Sequence, residues 1–355
     1  MMMAEAARAL PLELSLLAGS PGEPAVTLIP NTTLGSAGDG EAVLNFATAC
    51  EAITVDHEVV NIEALRSAES RGVRIAPGPD ALIFATDKAH QRRVFASRGI
   101  PLPDFIIVDD LDDPAFDAFC ETHSHVVIKA ARGGFDGRGV IIPDAHPREA
   151  LREILASGPA VVEEKLELLG ELAVSIVTSA TGERVAYQPV DTIQVKGMCD
   201  QVNIPSRRSH SELHSAVAIA SEVADIVGAV GVLAVELFVT PRGVLVNEVA
   251  TRPHNSGHWS IEGATTSQFE NHLRAVAGLD LGSTAATSEF ITMINVVGGE
   301  TSAPDLRSLV NFEGIFVHDY SKAWRPGRKL GHVTICAHDE ATLERRIALV
   351  RQAME

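Results

Sequence analysis

Apolar stretches typical of strands and of helices alternate along positions 1–84. Strands that alternate with helices normally pair in parallel, so this part is predicted to be a small Rossmann-like α/β domain. The expected elements are a helix at 4–10, a strand at 14–17, an apolar segment at 25–29, a helix at 41–49, a strand at 52–55, a helix at 60–72 and an extended segment at 73–76.

A basic helix at 86–98 opens a second, larger domain, predicted at 85–280. Strand-type runs dominate it, and the run at 160–166 leads into a loop, so we expect it at a sheet edge. A small β-rich domain is predicted at 281–355. The fold class is therefore α/β and α+β. Further expected elements are strands at 126–129, 140–142, 170–178 and 184–187, an amphipathic helix at 211–228, a helix at 266–276, and strands at 289–297, 314–318 and 331–336.

A β-hairpin is predicted within the stretch 235–258. Two apolar runs flank Thr240-Pro-Arg-Gly, in which Pro241 suits the first turn position and Gly243 can close a three-residue loop. Such a loop places Thr240 opposite Val244.

The same register pairs Glu236 with Glu248. Like charges directly opposite each other are destabilising, so two facing carboxylates among apolar neighbours require a cation. Oxygen ligands suit Mg²⁺, which usually also binds substrate phosphates. The alternative is a hairpin whose acids lie on its solvated face. A two-residue loop would send the two side chains to opposite faces and remove the metal site.

A glycine-rich stretch at 133–139 joins two predicted strands. It lacks the Gly-Lys-Ser/Thr ending and the following helix of a P-loop. Its backbone N–H groups could wrap phosphate oxygens. The alternative is a glycine-rich turn without a ligand.

Composition excludes some partners. The formal net charge of −18 argues against non-specific binding to nucleic acid or to membrane surfaces. No apolar run is long enough to span a bilayer, and the first residues do not resemble a signal peptide. Free thiols in a reducing cytoplasm are expected for the four widely spaced cysteines, Cys50, Cys120, Cys199 and Cys336.

The order of these features resembles the ATP-grasp fold: a lysine ending a strand, a glycine-rich β-loop, an acidic strand exit and a Glu/Glu hairpin. Within that fold the sequence is similar to the 5-(carboxyamino)imidazole ribonucleotide synthase family, over nearly the whole chain. The motifs that carry the resemblance are Gly-Gly-Phe-Asp-Gly-Arg-Gly at 133–139, Asn-Glu-Val-Ala-Thr-Arg-Pro-His-Asn-Ser-Gly-His-Trp at 247–259, Ser-Gln-Phe-Glu at 267–270 and Arg-Pro-Gly-Arg-Lys-Leu-Gly-His at 325–332.

The resemblance implies a ligase that binds ATP and Mg²⁺, with Glu236 and Glu248 as metal ligands. Lys88 and Lys129 would meet the phosphates, beneath a lid formed by the glycine-rich loop. Residues implied in nucleotide binding are Lys88, Lys129, Gly134, Phe135, Asp136, Gly137, Arg138, Gly139, Val140, Glu163, Glu164, Lys165, Leu166, Glu171, Gln194, Asn247 and Glu248.

The implied substrates are bicarbonate and aminoimidazole ribonucleotide, in purine biosynthesis. Carboxyphosphate would form in a closed cationic pocket, with Asp136 and Arg138 facing the ribonucleotide. The ribonucleotide phosphate would meet the basic turn 322–329, through Lys322, Arg328 and Lys329. Candidate catalytic residues are Arg252, His254, Asn255, Asp136 and Lys322, with His258 also lining the pocket. The resemblance further implies a cytoplasmic homodimer that passes its product to the carboxyaminoimidazole ribonucleotide mutase.

Three departures from the family pattern stand out. The family opens with a strand and a Gly-x-Gly-Gln-Leu loop at the ribonucleotide phosphate, whereas Met1–Ala7 matches the segment just after that loop, so we expect an N-terminal sheet without its first strand. Phe135 replaces a common tyrosine. Gln194 replaces a histidine near ATP, and Lys196 replaces an acid.

Two alternative functions are compatible with these features. One is a formate-dependent phosphoribosylglycinamide ligase-like enzyme, against which the run at 252–258 argues. The other is a catalytically impaired ATP-binding module. Tight Mg-ATP binding without turnover would distinguish the latter.

Overall fold

The computed structural model describes residues 1–134 and 139–354. Its N-terminal part packs helices around a small apolar core that includes Val43, Leu65 and Leu82. The elements are α1 (Met2–Ala7), β1 (Ser15–Ala18), β2 (Asn31–Leu34), α2 (Gly40–Ala47), β3 (Ala52–Ile53), α3 (Ile62–Ser70), β4 (Arg74–Ile75) and α4 (Pro79–Thr86).

Both strand pairs of this part are parallel, which confirms the predicted α/β arrangement. They form two separate two-stranded sheets, β1–β2 and β3–β4. The apolar segment 25–29 begins as a 3₁₀ turn at Pro24–Thr27. The strand β2 comes after this turn. Its sequence begins with the polar residues Asn-Thr-Thr, so the hydrophobic pattern did not predict it.

The next part of the chain begins with helix α5. The Asp87 carboxylate caps its first turn by accepting a hydrogen bond from the His90 N–H at 2.9 Å. An antiparallel sheet in the order β5–β8–β6–β7 follows. Because β8 lies between β5 and β6, the predicted edge position of the run 160–166 is wrong. The elements are α5 (Lys88–Ser97), β5 (Phe105–Val108), α6 (Pro114–Thr122), β6 (Val126–Ala130), β7 (Val140–Ile141), α7 (Pro147–Leu155) and β8 (Ala160–Glu164).

The largest sheet has nine strands among the described residues, in the order β14–β13–β9–β11–β12–β15–β17–β16, with β10 on β9. All its pairs are antiparallel. The elements are β9 (Gly170–Thr178), β10 (Arg184–Ala186), β11 (Val190–Val195), β12 (Met198–Ile204), α8 (His210–Val227), β13 (Gly231–Thr240), β14 (Gly243–Ala250), α9 (Ser260–Gly263), α10 (Gln268–Ala277), β15 (Phe290–Val297), β16 (Ile315–Asp319), β17 (Lys329–Ala337) and α11 (Glu340–Met354).

The two faces of this sheet differ chemically at β9 and β13. Leu172, Val174 and Leu237 lie on one face, in the core that also contains the buried side of α8. Successive strand residues point to opposite faces, so Glu171 and Glu236 lie on the other. The packing of α8 against one face thus fixes which face carries the acids.

The strands before and after position 281 belong to one sheet, since β12 pairs with β15 from Gln201↔Ile294 to Ile204↔Ile291. The predicted domain limits 1–84, 85–280 and 281–355 stay predictions. At the limit between residues 280 and 281, backbone hydrogen bonds between β12 and β15 join the two flanking parts in one sheet.

None of the helices in the described ranges combines the length and hydropathy needed to cross a bilayer. The four cysteines are free, and of these Cys199 is buried while Cys50, Cys120 and Cys336 are partly exposed.

Candidate active site

The hairpin β13–β14 turns more tightly than predicted. Thr240 pairs with Gly243, so the loop has two residues and the predicted pairing of Thr240 with Val244 is wrong. The Thr240 hydroxyl donates to the Gly243 carbonyl at 2.9 Å and accepts from the Arg242 N–H at 3.1 Å. These side-chain bonds favour the short turn.

A β-bulge corrects the register further along the hairpin. Leu237 pairs with Val246, but Glu236 pairs with Glu248, so Asn247 is an extra residue on β14. Without the bulge the two-residue turn would place the acids on opposite faces. The predicted pairing of Glu236 with Glu248 is therefore confirmed, although the predicted loop is not.

Asn247 is held by two cations from other elements. Its backbone carbonyl accepts from Arg92 Nη2 at 2.6 Å, and its side-chain Oδ1 accepts from Lys129 Nζ at 3.2 Å. Hydrogen bonds from charged donors are stronger than neutral ones. They stabilise the bulge at the position that sets Glu248 opposite Glu236.

Three carboxylates share this face of the sheet. Burial and the charges of Glu248 and Glu171 raise the pKa of Glu236 to about 8. Burial also raises the pKa of Glu171 to about 7, against a hydrogen bond from Gln194. For Glu248, desolvation acts in the same direction, but the ammonium of Lys88 outweighs it and the pKa lies below its usual value. Glu236 and Glu171 are thus harder to ionise than free carboxylic acids, chiefly because they are buried.

A metal-free sample should therefore lose stability as pH rises. The folded-state pKa of Glu236 lies above the value of 4.5 for the free group, so its contribution to stability is fully present below pH 4.5 and is lost as the pH passes 8. Glu171 acts in the same direction up to about 7. At its steepest each group changes the unfolding free energy by about 1.4 kcal/mol per pH unit.

Melting temperatures measured from pH 5 to pH 9 in chelator test this expectation. The fall should be shallower in Glu236→Gln, which cannot ionise, and shallower for wild type in Mg²⁺. Identical slopes in wild type and variant would contradict the assignment of Glu236.

A buried ion-pair network lies beneath the cluster. Arg92 donates to Glu163 Oε1 through Nε at 2.7 Å, and Lys129 Nζ lies 2.7 Å from Glu163 Oε2. Burial opposes ionisation of Glu163, but the two cations lower its pKa to about 2. The carboxylate thus stays charged in the core, where it fixes both cations.

Sequence reasoning missed the role of Arg92, which it noted only as part of a basic helix. Arg92 lies four residues after Lys88, so both project from the same face of α5. Its side chain is 1% exposed, whereas Lys88 reaches Glu248. An arginine on the inward face of an otherwise amphipathic helix is the signal that could have identified it.

The resemblance implies that the adenine of ATP lies against residues 163–166, which begin at the end of β8. The carboxylate of Glu163 is committed to the buried network, while Glu164 pairs with Arg242 and accepts from the Asp104 N–H at 2.8 Å. The Lys165 N–H donates to the His125 carbonyl at 3.0 Å. Leu166 follows with intermediate exposure. A contact of this segment with an adenine would therefore use backbone groups other than those already engaged in these hydrogen bonds.

The segment 252–258 approaches the acidic pair. His254 Nε2 lies 3.4 Å from Glu236 Oε1, and Nδ1 is 2.9 Å from the Ser256 hydroxyl. Arg252 Nε lies 2.8 Å from Glu58 Oε1. Asn255 forms a reciprocal amide pair with Asn295, at 2.8 and 2.7 Å. The structure thus brings His254 directly to a predicted metal ligand.

The basic turn 322–329 connects β16 to β17. Lys322 is exposed, with its Nζ 5.0 Å from the centre of the Tyr320 ring. Arg328 Nη1 donates to the Ala323 carbonyl at 2.9 Å. Lys329 is close enough to Glu236 to act on its pKa, in the lowering direction. The end of this turn therefore lies within electrostatic reach of the carboxylate cluster.

The strands that flank the glycine-rich stretch, β6 and β7, pair with each other, with Lys129 opposite Val140, so a strand and not a helix follows the stretch, as predicted. Gly134 and Gly139 are described, and the Ala130 N–H donates to the Gly139 carbonyl at 2.7 Å. Four predicted nucleotide or substrate residues lie outside the described residues, namely Phe135, Asp136, Gly137 and Arg138.

This fold and site define an ATP-grasp enzyme. A model of the ATP-grasp domain matches residues 93–269. A model of the ribonucleotide synthetase preATP-grasp domain matches residues 1–86, and one of the phosphoribosylaminoimidazole carboxylase C-terminal domain matches residues 292–346.

Known proteins narrow the class further. The N5-carboxyaminoimidazole ribonucleotide synthase of Mycobacterium leprae is 41% identical over 358 residues, covering 95% of this chain and 81% of its relative. The structure of the synthetase from Thermus thermophilus is 33% identical with a TM-score of 0.90, covering 99% and 95% of the two chains. The synthase of Aspergillus clavatus, solved with ADP and 5-aminoimidazole ribonucleotide, is 27% identical with a TM-score of 0.89, covering 99% and 95%. The chain belongs to the N5-carboxyaminoimidazole ribonucleotide synthase family.

Proposed function

We propose that Glu236 and Glu248 form the centre of an active site for ATP-dependent carboxylation of 5-aminoimidazole ribonucleotide. That carboxylation, a step of purine biosynthesis, is the reaction of the family to which the chain belongs. The observation that carries the site assignment is the bulged hairpin, which pairs the two glutamates face to face. The formate-dependent alternative is not favoured by the relatives.

The donor set fits Mg²⁺. Glu236 and Glu248 offer oxygen ligands that face each other, and burial together with the charges of Glu248 and Glu171 raises the pKa of Glu236. Lys88 pairs with Glu248 and lowers its pKa, so that carboxylate is ionised, as a metal ligand must be. Bound there, Mg²⁺ would neutralise charge on the phosphates as the γ-phosphoryl group transfers.

ATP is the nucleotide substrate of the family. Lys88 and Lys129 supply positive charge for its phosphates, with backbone donors from Gly134, Gly139 and Val140. The family resemblance alone assigns residues 135–138 to the nucleotide. The segment 163–166 supplies backbone for the adenine. Glu171, Gln194 and Asn247 complete the nucleotide side of the site. This assignment is supported by the placement of Lys88, Lys129 and Asn247 around the acidic pair.

The carboxyl donor is proposed to be bicarbonate. One of its oxygens attacks the γ-phosphorus, the bond to the bridging oxygen breaks, and ADP and carboxyphosphate form. The ribonucleotide amine then attacks the carboxyl carbon, either in carboxyphosphate itself or in CO₂ released from it. The carbon–oxygen bond to phosphate breaks and the amine loses a proton to solvent.

The chain's own residues orient these reactants. Arg252 offers a planar guanidinium for a bicarbonate oxyanion. His254, fixed between Glu236 and Ser256, presents an imidazole beside the metal ligands. Asn255 lines the pocket with its amide held by Asn295, and Asp136 is assigned to the ribonucleotide. Lys322, Arg328 and Lys329 bind its phosphate.

Finer proposals rest on the family resemblance. The enzyme acts as a homodimer in the cytoplasm and passes its product to the mutase that rearranges it. Light scattering on the purified protein tests the first of these.

An assay of ADP release tests the proposed reaction. ADP should form at a substantial rate only with both bicarbonate and 5-aminoimidazole ribonucleotide, and labelled bicarbonate should enter the ribonucleotide. Formate should not replace bicarbonate. Tight Mg-ATP binding without ribonucleotide-dependent turnover would contradict the proposal and identify a nucleotide-binding module.

A further inference from the structure

A buried tyrosine hydroxyl links two segments of the site. The Tyr320 OH lies 3.0 Å from His258 Nδ1 and 2.8 Å from His332 Nδ1. All three side chains are buried, and the two imidazole rings lie 5.0 Å apart. In a core of this kind each such bond has a defined donor and acceptor.

The three residues stand at the ends of the proposed binding segments. Tyr320 lies two residues before the basic turn 322–329, and His332 follows the turn in β17. His258 closes the segment 252–258 that carries Asn255. The hydroxyl thus joins the base of the turn to the end of that segment.

The direction of the chain of hydrogen bonds is set at its far end. Asn295 Nδ2 donates to the Cys199 carbonyl at 2.8 Å, which orients that amide. Its Oδ1 therefore accepts from Asn255 Nδ2. Asn255 Nδ2 also lies 3.3 Å from His258 Nδ1. Since an amide nitrogen can only donate, we assign a lone pair to Nδ1 of His258.

The remaining protons are then assigned. With His258 Nδ1 as acceptor, the Tyr320 hydroxyl donates to it and accepts from His332 Nδ1–H. Burial lowers the pKa of His258 and of His332 well below the usual value, so both rings are neutral. His332 Nε2 is then a lone-pair nitrogen, and it is a buried atom without a hydrogen-bond partner among the described residues.

We propose that Tyr320 is a positioning residue whose hydroxyl couples the basic turn to the Asn255 segment. This rests on the proposed function, in which the turn binds the ribonucleotide phosphate and the segment lines the carboxylation pocket. The coupling keeps the bound amine at a fixed distance from the activated carboxyl group. Without it the ribonucleotide binds more weakly and more of the activated carboxyl is lost to water.

A matched pair of variants tests the coupling. Tyr187 is the chain's other tyrosine, and its buried hydroxyl donates to the Thr266 carbonyl at 2.8 Å and receives Asn271 Nδ2 at 3.0 Å. Each Tyr→Phe change removes a buried hydroxyl that has two hydrogen-bond partners and keeps the aromatic ring. Tyr320→Phe should raise the KM for ribonucleotide roughly tenfold and raise the ADP formed per carboxylated product, with the KM for ATP unchanged. Tyr187→Phe should leave all three at wild-type values.

The proposal is overturned if Tyr320→Phe keeps the wild-type KM and coupling ratio, or if both variants change them equally. Lys329→Ala separates this from the proposed function. If Lys329→Ala raises the KM for ribonucleotide and Tyr320→Phe does not, the coupling through Tyr320 is refuted and the phosphate site at the turn still stands. If neither does, the turn is not the phosphate site.

A second measurement needs no variant. Nitrogen-15 shifts of the histidine rings in wild type should show His258 protonated at Nε2 and His332 at Nδ1. The opposite pair of tautomers would overturn the proposed direction of the hydrogen bonds, even if Tyr320→Phe did not fold.

Discussion

Glu248→Gln is expected to lower the rate of ribonucleotide-dependent ADP formation by about 10²–10³-fold, the usual cost of removing one group that stabilises developing charge. The change replaces one of the two facing carboxylates by a neutral amide of the same shape. It also removes the partner of Lys88, which would then act on the phosphates without its counter-charge. The rate should be measured at saturating ATP across a range of Mg²⁺ concentrations.

A surface glutamate supplies the control for this prediction. Glu340 pairs with Arg207, and both side chains are more than half exposed. Glu340→Gln should keep the wild-type rate, since exposed ion pairs contribute little. A wild-type rate in Glu248→Gln at low Mg²⁺ would contradict the metal assignment.

Arg92→Met is expected to lower the free energy of unfolding by about 3–5 kcal/mol, the range measured when one partner of a buried ion pair is removed. Arg92 and Glu163 are 1% and 3% exposed, so the carboxylate cannot recover hydration from water. The Asn247 carbonyl at the bulge also loses its donor. Urea unfolding of wild type and variant measures the difference.

Two comparisons make this stability prediction specific. Arg66 pairs with Asp80 at the surface, and Arg66→Met should cost less than about 1 kcal/mol. Removing both charges, in Arg92→Met with Glu163→Met, should restore part of the loss, because no buried carboxylate then remains. A similar small loss in Arg92→Met and Arg66→Met would show that the network is not stabilising.

The hydrophobic pattern was sufficient to predict most strands of the large sheet. In the structure, Leu172 and Leu237 lie in the core, and Glu171 and Glu236 lie on the opposite face of the sheet. The pattern failed where strands are polar or short, as in β2. It also could not show that β8 is central, since strand order depends on contacts distant in sequence.

The acidic pair was predicted for a partly wrong reason. The sequence around Pro241 is compatible with both loop lengths, and hydroxyl bonds of Thr240 favour the shorter one. The bulge that restores the pairing depends on Arg92, which is 155 residues from Asn247. Local sequence has no information on such a contact.

The roles of Arg92 and Tyr320 were beyond sequence reasoning for the same reason. Each acts through partners brought together by the fold, Glu163 for the arginine and His258 for the tyrosine. Residues that stand inside a recognisable motif, such as His254, could be proposed from sequence. The contact of His254 with Glu236 required the structure.

Binding of Mn²⁺, as a spectroscopic substitute for Mg²⁺, tests the central claim most directly. Electron paramagnetic resonance would count Mn²⁺ bound to wild type, Glu236→Gln and Glu248→Gln in the presence of a non-hydrolysable ATP analogue. If Glu236 and Glu248 are the metal ligands, Mn²⁺ should bind tightly to wild type and at least roughly tenfold more weakly to each variant, while the nucleotide stays bound. Equal Mn²⁺ affinity in all three proteins would contradict it.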